Sequence, residues 1–582
     1  MDFTVKDTNE GSEVVITERE YPGHDGVTLV DVNVRFAAPQ VPGMITVKWN
    51  MKDLGAYSTF SASTTYEKNV CPSWHKRTTE SRLASGAPLH QIITADGRNC
   101  LTVALSDAET PCQIATGVNE RLANMDCEVR FFTSPVNTLE EYHAVIYLDV
   151  SDRKYEKCLK DADKFWTEEC GYPCAYTPDA ARRALYSCWY SFHKDLNVDA
   201  VLNQCRLAKA MGMDTVIVDD GWQCDFDEGG YSRCGDWEVH PSKVPDMKDF
   251  VDKVHEIGMK FMLWYSVPAA GVYSRAHERF ADMLLNPSAK SWASLDPRFP
   301  EVRDYLTSVY VNAVKDWGLD GLKLDFIDSF KLFPETPAFD ERWDTLSLED
   351  GVDKLLDAVT KALKKINPDI LIEFRQSYFG PVIRKYGNMI RVSDCPADSY
   401  RNRVGGMTLR YLLGNTAVHS DMLMWHPEDT VESAAYQVIS TLFMVPQISV
   451  LLDKIPADHV EMLKFYLGFW NAHRETLLDG DISAKNPESM YSLIRSDAED
   501  EIVAVSYADP VLDLGEESRG KSVWHINATD DEYLVIRVSS DLGMKKYRIY
   551  DCTGHLEASG RKKLSAGVYQ FNVPRCGMIE IK

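Results

Sequence analysis

The amino-acid sequence predicts a multidomain α/β and β fold: a central (β/α)8 TIM barrel, preceded by an N-terminal β-sandwich and followed by a C-terminal antiparallel β-domain. Three observations lead there. Between about residues 184 and 475, short apolar runs alternate with helical patterns eight times, the repeat of a (β/α)8 barrel. The two flanks carry short alternating runs separated by turn residues, the pattern of sandwiched sheets. The rival fold, a doubly wound open sheet, wants a glycine-rich phosphate loop after its first strand, and Ser187-Cys188-Trp189-Tyr190 offers none. At 582 residues the chain exceeds one ordinary domain; the expected divisions are 1–160, 161–480 and 481–582.

In the first division, strands are expected at Glu13–Thr17, Thr28–Phe36, Met44–Trp49, Ile92–Thr94, Leu101–Leu105, Cys127–Phe132 and His143–Val150, with a Ser/Thr-rich loop near Thr59–Tyr66. A charged helical connector, Tyr155 to Glu169, ends at the break Gly171-Tyr172-Pro173. The eight barrel strands are expected at Ala184–Tyr190, Thr215–Val218, Lys260–Trp264, Leu322–Phe326, Ile370–Phe374, Met389–Val392, Ala417–Ser420 and Gln447–Leu451. Helices between them are expected at Val198–Ala210, Met247–Ile257, Ala276–Leu285, 302–317, Val352–Ile366, Pro381–Tyr386, Met407–Leu413 and Ser433–Phe443, and Val460–Glu475 covers the end. The last division offers strands at Met490–Ile494, Ile502–Ser506, Tyr533–Val538, Tyr547–Tyr550, Val568–Val573 and Met578–Ile581.

Composition narrows the function. A net charge of −25 and a pI near 5.0 argue against nucleic-acid or anionic-membrane partners, which need basic patches. No run approaches the roughly 20 apolar residues of a membrane span, and Met1-Asp2-Phe3-Thr4-Val5-Lys6 lacks the pattern of a secretory signal. The 14 cysteines are scattered, without the density of a disulfide scaffold, so a reducing cytoplasmic setting is expected. Cys170 and Cys174 lack the further ligands of a zinc site, and the histidines stand apart, so neither metal nor cofactor is expected.

The chemistry lies at the strand ends. In Gly321-Leu322-Lys323-Leu324-Asp325-Phe326, Lys323 and Asp325 are two apart and share one face of a strand. An ammonium beside a carboxylate favours the anion a nucleophile needs. The bland alternative is a buried structural pair. Other strand ends supply Asp219, Asp220 and Trp222; Trp264 and Tyr265; Glu373, Arg375 and Gln376; Arg391, Ser393 and Asp394, with Asp398 close behind; and His419, Asp421 and Trp425. Carboxylates among Trp and Tyr suit a polyhydroxylated ring. Against this, Asp220 could be a turn residue, Arg375 a stabilising ion-pair partner, and Asp398 a helix cap. Two carboxylates hydrolyse a glycosidic bond without a cofactor, and Asp325 and Asp394 are the candidate pair.

Val218-Asp219-Asp220-Gly221-Trp222, Lys323-Leu324-Asp325 and Arg391-Val392-Ser393-Asp394 together resemble the motifs of clan D glycosidases, most closely the family 36 α-galactosidases. The resemblance implies a β-supersandwich, a (β/α)8 barrel and a C-terminal β-domain. It also implies a retaining hydrolase of terminal α-galactosides, with Asp325 as nucleophile and Asp394 as acid/base. Asp219 and Asp220 would bind the 4- and 6-hydroxyls, and Lys323 would touch the sugar. Two departures stand out. Glu373-Phe374-Arg375-Gln376-Ser377-Tyr378 replaces a Cys and Gly-rich run, so only Arg375 is carried over there. The second acid after Ser393-Asp394 arrives one residue late, as Asp398, which leaves Asp398 an alternative proton donor. Rival functions are an α-N-acetylgalactosaminidase, a raffinose-synthase-like transferase, and an inactive sugar-binding barrel. The expected ligand is an α-galactoside oligosaccharide or glycoconjugate; a homo-oligomer stays open.

Overall fold

The computed structural model describes all residues except 53–54, 63–68, 71–76 and 225–229. The chain opens with a five-stranded and a seven-stranded antiparallel sheet. Strand Val27–Gln40 shows why they pack: Val30, Val32, Val34 and Phe36 are buried, while Asn33 and Arg35 face out. They meet Val47, Trp49, Val129 and Ile146 in one apolar core. All seven expected strands are present. Thr4–Asp7, Arg77–Ser81 and Cys112–Asn119 are additional, and Ala56–Ser61 is a strand where part of a loop was expected; residues 63–66 of that loop lie outside the described residues.

The barrel strands are β1 (Leu185–Ser187), β2 (Thr215–Val218), β3 (Lys260–Ser266), β4 (Gly321–Asp325), β5 (Leu371–Arg375), β6 (Met389–Arg391), β7 (Ala417–His419) and β8 (Gln447–Ile448). Every pairing is parallel, β1 also pairs β8, and a bridge from His419 to Val445 brings β7 to the approach of β8. The helices that matter below are α1 (Val198–Ala210), α2 (Met247–Glu256), α3 (Pro300–Trp317), α4 (Leu348–Ile366) and α5 (Ser399–Leu412). Local signals set their ends. Asn197, Asp246 and Ser347 cap α1, α2 and α4 by accepting an N–H of the first turn. Pro300 opens α3, and Gly318 closes it at φ +76°.

Three expected elements are corrected. The first strand stops at Ser187, and Trp189–Phe192 forms a helical turn. The helix expected at Ala276–Leu285 is the short Arg275–Arg279, followed by turns. Helix α5 starts eight residues earlier than expected, at Ser399 rather than Met407. Gly405 and Gly406 hide it by breaking the apolar pattern; they allow close packing, since a Cβ on Gly405 would come within 2.6 Å of Val392 Cγ1.

A seven-stranded and a three-stranded sheet follow the barrel. They are antiparallel except that Glu501–Ser506 pairs parallel with Ser522–Asn527, and Val511–Leu514 with Leu534–Val538. Four of their strands escape the sequence pattern: Asp481–Lys485, Val511–Leu514, Ser522–Asn527 and Leu556–Leu564. The strand expected from Met490 starts at Leu493, because Asn486, Met490 and Tyr491 adopt positive φ in a turn. The connector Tyr155 ties both flanks: its N–H bonds Gly97 O at 3.1 Å and its hydroxyl Ala484 O at 3.0 Å. Among the described residues, no helix is long and apolar enough to cross a membrane.

Candidate active site

The site forms at the C-terminal ends of the barrel strands, where side chains from different strands converge. Asp325, the last residue of β4, sits at its centre, 7% exposed. Its Oδ1 accepts from Arg375 Nε at 2.6 Å, from the Phe326 N–H at 2.8 Å and from the Tyr378 hydroxyl at 3.1 Å. Among the described residues, its Oδ2 accepts only from the Trp264 indole N–H, at 3.0 Å. Burial alone would raise its pKa, but Arg375, Lys323 and Arg391 outweigh burial and hold the carboxyl far below its usual range. Phe326 takes φ +63°, a left-handed conformation that a bulky side chain rarely adopts, and this turns its N–H onto the carboxylate.

The lysine beside Asp325 in sequence does not bond it. Lys323 Nζ donates to Asp219 Oδ2 across the barrel at 2.5 Å. The cation bonded to Asp325 is Arg375, which the neighbouring strand β5 brings alongside, while Lys323 acts on Asp325 only through space. Asp220 is paired with Lys194, whose Nζ lies 3.1 Å from Oδ2, and takes the Gln223 amide N–H on Oδ1 at 2.6 Å. Burial raises the Asp220 pKa, and Lys194 opposes it.

Trp222 and Trp264, both expected to touch the sugar, are buried in packed surroundings. Trp222 is fully buried; its indole N–H bonds Trp264 O at 2.9 Å and its ring packs on Tyr265, Trp237 and Trp317, so it offers no surface to a ligand. Trp264 is 1% exposed and spends its N–H on Asp325. Partly exposed rings nearby include Tyr231 and Phe326, which lie against each other and Trp264.

Arg391 is likewise buried, and carboxylates surround it. It donates to Asp421 Oδ1 at 2.5 Å and to Asp394 Oδ1 at 2.9 Å, with Glu373 3.8 Å away. It anchors acids and does not reach into open space. Burial raises Asp421 and Glu373, which Arg391 opposes. Asp394 differs from its neighbours: its side chain is 56% exposed, and among the described residues its hydrogen bond is to Arg391. Partial desolvation raises its pKa, Arg391, Lys323 and Arg375 bring it below the ordinary range, and the charge of Asp325 works against them.

Asp398 is the N-cap of α5. Its Oδ1 accepts the Arg401 N–H at 3.0 Å, and its Oδ2 lies 3.4 Å from Arg401 Nε. Oδ1 thus serves the helix start, and Oδ2 faces the Arg401 side chain. His419 is buried against Ala181 O at 2.7 Å, and burial lowers its pKa to about 4. Among the described residues, no cluster of His, Cys, Asp and Glu has the form of a metal site. The N-terminal sheets brace the rim: Arg82 donates to Asp328 O at 2.7 Å, and Ser377, which bonds Asp328 Oδ2 at 2.9 Å, accepts the Gly86 N–H on its carbonyl at 2.8 Å.

Sequence reading missed Lys194, Tyr378 and Tyr231. Lys194 lies in a polar loop seven residues past β1, and Tyr378 follows a turn three residues past β5; neither sits on a strand end, where the pattern points. The Gly230–Arg233 turn that carries Tyr231 has no periodicity to announce it.

The barrel gathers acids, cations and aromatic rings at the C-terminal ends of its strands. Comparison with known proteins narrows the class. The Melibiase family model matches residues 175–404, from just before β1 into α5. Alpha-galactosidase Mel36A of Lactobacillus acidophilus is 32% identical over 156 residues, 26% of this chain and 20% of that protein. An A type blood alpha-D-galactosamine galactosaminidase of Flavonifractor plautii is 24% identical over 169 residues, 26% of this chain and 15% of that protein. Sequence matches to these relatives thus span a fifth or less of their length. In fold the chain is similar to the family 36 alpha-galactosidase AgaA of Geobacillus stearothermophilus, solved in complex with raffinose: TM-score 0.67, 15% identity, covering 98% of this chain and 81% of that one. In fold the chain is thus similar to family 36 α-galactosidases, and residues 175–404 match the Melibiase model.

Proposed function

We propose that the protein is a retaining glycoside hydrolase that removes terminal α-galactosyl residues by double displacement. The observation that carries this is Asp325: a carboxylate at a barrel strand end, held anionic, with three donors on Oδ1 and one on Oδ2. The less saturated oxygen, Oδ2, is the one left with electron density to attack an anomeric carbon. Asp394 is the acid/base. It is accessible, it lies two strands away, and neighbouring strands are about 4.8 Å apart, so both acids reach one sugar ring.

The charges support a proton cycle. The anion of Asp325 favours protonated Asp394 through space. A sugar filling the cleft removes water from Asp394, which favours the proton again. Once Asp325 carries the glycosyl ester its charge is gone, and Arg391 then favours the carboxylate that activates water for the second step. Asp219, Asp220 and Lys323 are the polar wall that would hold the sugar hydroxyls.

Similarity to enzymes named α-galactosidases, and to a structure holding raffinose, supports a galactosyl oligosaccharide as substrate. The relative named for galactosamine keeps a second reading open at the sugar 2-position. The 13 described cysteines are all free, which supports a reducing, cytoplasmic setting. The test is hydrolysis of nitrophenyl α-galactoside followed by proton NMR. Release of α-galactose first supports retention; β-galactose first, or no hydrolysis, rejects the proposal. The matching N-acetylgalactosaminide separates the two sugars, and product analysis with excess acceptor sugar reveals transfer.

A further inference from the structure

At the end of β2, two consecutive carboxylates each hold a lysine of their own: Asp219 pairs with Lys323 at 2.5 Å, and Asp220 with Lys194 at 3.1 Å. The second pair is unusually enclosed. Lys194 is 7% exposed although it comes from a loop. The backbone closes on it from two sides: a Cβ on Gly221 would lie 2.7 Å from Lys194 Cα, and one on Gly230 would lie 2.8 Å from Nζ. Gly221 takes φ +115°, a conformation open to glycine. The Tyr231 ring lies 4.6 Å from Nζ and adds a cation–π contact.

The hydrogen bonding of this pair is incomplete. Asp220 Oδ1 takes the Gln223 amide, but Oδ2 is buried with no donor aligned on it; Lys194 Nζ stands close but off the line of a hydrogen bond. A buried carboxylate oxygen in that state is one donor short. An ammonium has three N–H donors, and among the described residues Asp220 is the only carboxylate within 4 Å of this one. Among the described residues, Lys194 Nζ and Asp220 Oδ2 thus each keep hydrogen-bonding capacity beyond their 3.1 Å ion pair. A hydroxyl satisfies both at once, because it donates through its O–H and accepts on its oxygen; water does so before a sugar binds, and a sugar alcohol would take its place.

We infer that Lys194 is a specificity-determining residue: with Asp220 it clamps one hydroxyl of the sugar. This rests on the proposed α-galactoside function. The hydroxyl gives its proton to Asp220 Oδ2 and accepts from Lys194 Nζ. Asp219 and Lys323 offer a second donor–acceptor pair next to it, so the site reads two hydroxyls of one ring. A Lys194 of purely structural value would only neutralise Asp220, and its loss would weaken every substrate alike.

The experiment crosses residue with substrate group. Lys194→Met and Asp220→Asn, checked for fold by circular dichroism, are assayed on nitrophenyl α-galactoside and on its 4-deoxy, 6-deoxy and C6-lacking (β-L-arabinopyranoside) analogues. Lys194→Met lowers kcat/KM on the galactoside by about 10–100-fold, the loss of a charge-assisted hydrogen bond. On the analogue lacking the clamped hydroxyl it loses less than about threefold, and Asp220→Asn spares that same analogue. An equal loss on every substrate, or sparing of different analogues by the two variants, overturns the clamp. Should Lys194→Met fail to fold, Asp220→Asn alone decides: a uniform loss overturns the clamp. A wild-type protein inactive on every α-galactoside rejects the functional proposal instead. Galactose and 6- and 4-deoxygalactose are then titrated calorimetrically into wild type and variants, where uniform losses, or no binding to wild type, overturn the clamp as well.

Discussion

Arg375 Nε lies 2.6 Å from Asp325 Oδ1, so the cation that secures the candidate nucleophile comes from the neighbouring strand and not from the lysine two residues before it. The guanidinium also donates to Gln376 O at 2.9 Å and lies over the rings of Phe326 and Tyr378, which fixes its plane. This contact is the largest favourable influence on the charge of Asp325 and helps to orient it.

Removing the guanidinium therefore shifts the acid limb of the pH–rate profile. Asp325 is depressed in the folded protein chiefly because Arg375 opposes the cost of burial. In Arg375→Ala burial wins, the carboxyl pKa rises, and the acid limb of kcat/KM moves to higher pH. Arg375→Lys, which keeps a charge but not the fork, moves it less. The check is kcat/KM from about pH 3 to pH 8, a span set around ordinary carboxyl values. An unmoved limb in Arg375→Ala removes Arg375 from this role.

Asp394 and Asp398 separate cleanly. Asp394→Ala should lose hydrolysis of substrates with poor leaving groups, spare the first step with good ones, and recover turnover with azide. Asp398→Ala should keep kcat and lose about 1 kcal/mol of stability, the cost of an N-cap. Denaturant unfolding and the azide assay decide between them. Azide rescue in Asp398→Ala instead would exchange their roles.

Stability should fall on mild acidification for reasons apart from the site. His90 and His419 are buried, with pKa lowered by burial to about 4, and His525 to about 3, from an ordinary 6.5. The sign follows from linkage. Below 6.5 the unfolded chain binds protons that the folded chain refuses, so the stabilisation is complete above pH 6.5 and is lost as pH falls toward 4. The melting temperature should drop over that window, with proton uptake on unfolding. A flat melting temperature between these limits would contradict the burial of these rings.

Much of the fold was legible because periodicity survives burial: all eight barrel strands lie where apolar runs predicted them, and α1 matches end to end. What was illegible is local. Gly405 and Gly406 disguise half of α5 because their packing value appears only once Val392 and Met444 lie against them. At the site, strand ends named the acids, since a parallel barrel places them there by rule. They could not say which cation bonds which acid, because Lys323–Asp219 and Arg375–Asp325 are contacts between strands 104 and 50 residues apart in sequence. Nor could alternation reveal that Trp222 faces a packed aromatic cluster and not the cleft. Lys194, on a loop, had no pattern to betray it.

In the proposed double displacement, Asp325 Oδ2 forms a covalent bond to the sugar. The most direct measurement is mass spectrometry of the intact and digested protein after treatment with an activated 2-deoxy-2-fluoro α-galactoside, which slows release of a glycosyl-enzyme. One added glycosyl group on the peptide containing Asp325, absent from Asp325→Asn, is the predicted result. A protein that turns over nitrophenyl α-galactoside yet carries the label on another carboxylate, or inverts the anomeric centre and carries none, contradicts it.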